Sequence, residues 1–105
     1  MPDQTPIACS LGGDEVRKRQ AEMAALGKTA LIDARPGPAG AELRFAARAG
    51  VRERVGAIVA AESRCCPFLT MELRDEPDVV VLSIEGPTDA AIVVEEIVGA
   101  FSAAR

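Results

Sequence analysis

Three cysteines and one glutamate carry the chemistry that this sequence can offer. Cys65 and Cys66 stand side by side before Pro67 in "AESRCCPFLTMEL" (61–73), Glu62 precedes them by three and four residues, and Cys9 lies in "PIACSL" (6–11). The chain has no histidine, so thiolate and carboxylate are its only strong side-chain metal ligands. Three thiolates close together suit soft ions such as Hg(II), As(III), Cd(II), Cu(I) or Zn(II). A free thiol titrates near about pH 8.5, so such an ion would itself have to displace the protons. Glu62 could complete the coordination sphere or accept a thiol proton. Adjacent cysteines are a less specific signal than paired CxxC motifs, because structural zinc sites place two or more residues between ligands.

Other readings of the same residues compete with this one. The Cys65–Cys66 pair could serve a redox or a metal- or arsenical-transforming enzyme, one sulfur attacking and its neighbour resolving; a disulfide between adjacent cysteines is strained and readily reduced. The cysteines could also be plain core in a structural or interaction domain, since a free cysteine packs as a small hydrophobe. Taken alone, Cys9 reads as core sooner than as ligand. Glu62 tips the pair toward function, because a buried carboxylate needs a partner or a purpose; its structural partner would be Arg64 or another arginine. Without histidine as a base, Cys–His hydrolysis is excluded.

The elements that must position these residues follow from periodicity and punctuation. After a short polar tail (1–5), residues 6–11 read as a strand ending at Gly12–Gly13. A helix over about 14–26 opens on Asp14 and Glu15, presents Val16, Met23 and Leu26 on one side, and stops near Gly27. "RKR" (17–19) reads as its solvated face. Strands over 29–35 and 41–46 are joined by "PGPAG".

A second helix over 50–65 repeats Val51, Val55, Ile58 and Val59 at three- and four-residue steps, and the same stripe continues into Glu62, Cys65 and Cys66. Pro67 ends it and places the thiols at a helix-to-strand junction. Strands over 68–74 and 79–85 form a hairpin about "DEPD", and a last helix is capped by Thr88 with Ile92, Val93, Ile97, Val98 and Phe101 inward. Glu95–Glu96 diverge around that helix and read as solvated.

The order β-α-β-β-α-β-β-α predicts one α+β domain over 1–105, a two-layer sandwich with a ferredoxin-like antiparallel sheet. That arrangement places strand 6–11 between 41–46 and 68–74, so Cys9 would converge on Cys65–Cys66, with Glu62 one helical turn behind.

Composition narrows the partners. A net charge of −4 and only three aromatic residues, all Phe, argue against a nucleic-acid partner. No apolar run is long enough to span a membrane, and the N-terminus lacks a basic segment followed by a long apolar one, so the cytoplasm is the expected location. Reducing conditions there would keep the three cysteines mostly as thiols and make a structural disulfide unexpected. The β-rich edge and alanine-rich helices allow a homodimer.

"PIACSL", "AAESRCCPFLTMEL" and "LSIEGP" together resemble a family of small bacterial proteins sharing A-C-x-L, E-x-x-C-C-P-F and a late G-P turn. The resemblance spans nearly the whole chain, and E-x-x-C-C-P-F is its most specific part. Some members are associated with mercury- or arsenic-type resistance genes, so it implies a link to soft metals rather than an established activity. The matching positions are Cys9, Glu62, Cys65, Cys66, Pro67 and Phe68. The first helix departs from the family, starting on Gly-Gly-Asp where a Thr-Pro type of start is usual.

Overall fold

The computed structural model describes residues 13–37 and 40–103. Along them run α1 (Gly13–Ala30), β1 (Leu31–Gly37), β2 (Gly40–Ala46), α2 (Val51–Cys65), β3 (Thr70–Glu76), β4 (Val79–Glu85), a 3₁₀ turn (Thr88–Ala90) and α3 (Ala91–Ser102). The expected strand 6–11 lies outside the described residues, so the described order opens on a helix.

The architecture is α+β, an open four-stranded antiparallel sheet in the order β1-β2-β4-β3 with three helices. Antiparallel pairing of β4 with both β2 and β3 makes β2 and β3 parallel, joined through α2 with β4 between them. This departs from the ferredoxin-like expectation. The place it assigned to strand 6–11, between 41–46 and the strand after α2, is filled by β4. The longest run of β-branched and aliphatic residues, "VVVLSI", thus takes an interior position paired on both sides.

Register builds the core layer. Ala41, Leu43 and Phe45 on β2 stand opposite Ile84, Leu82 and Val80 on β4, and Met71 and Leu73 on β3 continue the rows. Over this face pack Met23 and Leu26 of α1, Val51, Val55 and Ile58 of α2, and Val94, Ile97 and Phe101 of α3. The other face is charged: Arg74 reaches Glu76 at 2.9 Å and Glu42 at 3.5 Å, and Arg44 lies 3.6 Å from Asp33. Val81 belongs to that face yet is buried, its in-register neighbours being Arg44 and Arg74, whose aliphatic stems can cover it.

Several local expectations are corrected. Helix α1 continues through Gly27 to Ala30. Gly27 serves a close crossing rather than a stop, since a side chain there would run into the Phe101 carbonyl oxygen of α3. α2 starts after Gly50, which takes φ +82°, a conformation glycine adopts without strain. β3 lies two residues later than the predicted 68–74. Its hairpin turns on Pro77–Asp78, with Asp78 at φ 60° in the left-handed region that aspartate tolerates.

Thr88 does not cap α3; it begins the 3₁₀ turn after Pro87, where no side-chain cap bond forms. The inward stripe of this last segment is Ala90, Val94, Ile97 and Phe101, leaving Ile92 69% exposed. Glu95 and Glu96 are both exposed. Among the described residues no helix is long and apolar enough to cross a membrane.

Candidate thiol and carboxylate site

Helix α2 delivers the site because its buried face runs Val51, Val55, Ile58, Glu62, Cys65 at steps of three and four. Pro67 then ends it, having no N–H to continue the ladder and disfavouring helical backbone at the residue before it. Cys66 accordingly sits at φ −126°, ψ 72°, its N–H donating to the Glu62 carbonyl at 2.6 Å. The Cys66 carbonyl in turn accepts from the Leu69 N–H at 3.0 Å, which turns the chain toward β3. Both sulfurs are thereby taken out of solvent: Cys65 is 4% exposed and Cys66 fully buried.

Glu62 is buried, at 7% exposure, and its two carboxylate oxygens face different partners. Oε2 accepts a hydrogen bond from Arg19 Nη1 at 2.9 Å, and Oε1 lies 4.0 Å from the Cys66 sulfur. Arg19 reaches it from α1, where it occupies the inward stripe Val16, Arg19, Met23, Leu26. Two polar residues thus interrupt two apolar stripes at the same level and neutralise each other. Beside the pair, between α1 and α2, opens a cleft of about 260 Å³ lined by Arg19, Glu22, Arg54, Ala57, Ile58 and Ala61.

Arg19 is the residue that the sequence reading misplaced. Arg17 and Lys18 are exposed, Arg17 pairing with Asp14, but Arg19 turns inward. The signal was present, because Arg19 stands three residues after Val16 and four before Met23, in the stripe rather than beside it. Arg64, the named alternative partner for Glu62, is exposed.

The three thiols divide. Cys65 is free and Cys66 is disulfide-bonded, which departs from the expectation of no structural disulfide. A disulfide sulfur has no proton to donate, so the 4.0 Å approach to Glu62 is a contact rather than a hydrogen bond. Cys9 lies outside the described residues. Among the described residues no three of Cys, Asp and Glu gather closely enough to hold a metal ion, so Glu62, Cys65 and Cys66 do not make a three-donor site by themselves. The chain matches no family model, no curated protein and no solved structure.

Proposed function

We propose that the protein, with its thiols reduced, binds a soft metal or metalloid ion through Cys9, Cys65 and Cys66, with Glu62 as the supporting carboxylate. The observation that carries this reading is the buried Glu62 carboxylate, held by Arg19 and placed 4.0 Å from the Cys66 sulfur. A carboxylate beside a sulfur favours a cation shared between the two, which suits ion capture. The resemblance of E-x-x-C-C-P-F to proteins linked with mercury and arsenic genes supports the same ligand class. A second reading is a thiol–disulfide protein using the Cys65–Cys66 pair, in which the free Cys65 thiol stands beside the disulfide-bonded Cys66.

The test uses the fully reduced protein under anaerobic conditions, titrated separately with Hg(II), As(III) and Zn(II) and followed by native mass spectrometry. One ion per chain should bind, protect the cysteines from alkylation and raise the melting temperature, since a ligand of the folded form stabilises it by mass action. Affinity should weaken as pH falls, because protons compete for the thiolates. Cys9→Ser should weaken binding by about as much as Cys65→Ser or Cys66→Ser, on the order of tenfold or more for the loss of one strong ligand. Wild-type affinity in Cys9→Ser would reduce the site to the adjacent pair. No uptake of any of the three ions would leave the redox reading.

A further inference from the structure

We propose that the charged face of the sheet binds a second copy of this chain, stacked sheet on sheet about a two-fold axis that runs across the strands. None of the described helices covers this face, since α1, α2 and α3 all pack on the other. On it Arg35, Glu72 and Arg74 are exposed, and Asp33, Glu42 and Arg44 are half-buried.

The charges fall into two rows. Register sets Asp33, Arg44, Val81 and Arg74 side by side across β1, β2, β4 and β3. Two residues along each strand, the neighbouring row reads Arg35, Glu42, Ser83 and Glu72. Strand by strand, the second row is the first with its signs reversed, and the β4 position is uncharged in both. These six charges sum to zero, so the two rows offer no field to a nucleic acid, a membrane or any other partner of one sign. They match a surface that carries the same alternation, and a second copy presents that surface.

A two-fold axis lying between the sheets, parallel to the rows and midway between them, keeps each strand over its own copy and exchanges the rows. Asp33 then faces Arg35 of the second copy, Arg44 faces its Glu42 and Arg74 faces its Glu72, each pair occurring twice. At β4 Val81 meets Ser83. The rows beyond bring Glu76 over Thr70 and Val79 over Glu85, so no like charges meet. Within one chain Arg74 lies 3.5 Å from Glu42, and Arg35 3.5 Å from Asp33. A guanidinium carries several donors, so each arginine can hold its own carboxylate and a second one across the interface. Four strands of seven residues make a face of roughly 19 by 23 Å at ordinary strand spacing and rise. That size belongs to the low end of specific interfaces, so the dimer is weak and reversible.

The test is sedimentation equilibrium of the full chain in the presence of a dithiol, so that no intermolecular disulfide contributes. The average mass should rise with concentration from the 11.0 kDa of one chain toward twice that value. Raising the salt from about 50 to about 500 mM should weaken the dimer about tenfold, because exposed charges are screened. Glu72→Arg and Arg74→Glu should each weaken it by about tenfold or more, since like charges then face one another. An equimolar mixture of the two variants should restore it, because the reversed charge of each then faces the native charge of the other. Glu72→Arg alters an exposed position in no ion pair among the described residues, so it and the salt series still decide the matter should Arg74→Glu fail to fold. A wild-type chain that stays monomeric at about 0.5 mM in low salt would overturn the proposal. So would a dimer that neither salt nor charge reversal weakens, since its interface would lie elsewhere. An axis along the strands would set Glu72 against Arg35 and Arg74 against Asp33; a mixture that failed to dimerise would therefore reject the stacking of row on row.

Discussion

Replacing Phe101 with alanine is expected to lower the unfolding free energy by about 3–5 kcal/mol, a large share of the roughly 5–15 kcal/mol that holds a domain of this size together. Phe101 is fully buried and meets the Phe45 ring edge-on, centroids 5.3 Å apart at 69°. Its removal leaves a void under α3 and forfeits an aromatic pair worth about 0.5–1.5 kcal/mol beyond area burial. The surroundings cannot collapse into the gap easily, because the backbone of Phe101 already lies against Gly27 of α1. Urea denaturation followed by far-ultraviolet circular dichroism measures the effect. A loss below about 1 kcal/mol, the size of a typical surface change, would mean that α3 does not pack on the sheet through this side chain.

Glu62→Leu in the fully reduced protein should cost about 3–5 kcal/mol, because it strands the Arg19 guanidinium in a largely buried position without its carboxylate. The double replacement Arg19→Met with Glu62→Leu should recover most of that loss, since an apolar pair of similar volume needs no desolvation of charge. A double-mutant cycle in denaturant isolates the coupling between the two residues. If Glu62→Leu proved as mild as a surface substitution, Arg19 would have an alternative route to solvent, and the pair would not be fixing the carboxylate beside Cys66. The reduced state matters here, because a disulfide changes the unfolded ensemble as well as the folded one.

Much of this was legible in the sequence for a physical reason. Where burial is dominated by one periodic face, pattern and structure coincide: the run 79–85 is a strand to the residue, and the stripe from Val51 to Cys65 predicts both α2 and the inward position of Glu62. Signals that depend on a second element were not readable. Gly27 has the look of a helix stop until α3 is known to cross there. Arg19 stands on the inward stripe by its spacing, but a run of three basic residues reads as solvated until α2 is seen to hold a carboxylate opposite it. Ile92 looks like core by composition, but the turn over Thr88–Ala90 sets the phase of the last helix and leaves it outside. Strand order was the largest miss, since two arrangements of the same elements differ only in which strand lies beside β2, and no residue in "PIACSL" or "VVVLSIE" forbids either.

The central position of β4 has a kinetic meaning. The sheet consists of two hairpins, β1–β2 and β3–β4, each pairing strands that are neighbours along the chain and able to form locally. They are joined along one seam, β2 against β4, whose paired residues are dozens of positions apart in the chain. Closing that seam carries most of the loop entropy of folding, and none of the core rows Ala41–Ile84, Leu43–Leu82 and Phe45–Val80 exists before it closes. A nascent chain must therefore be extended beyond Glu85 before these rows can form, and until then the edge of β2 stays open to any other strand.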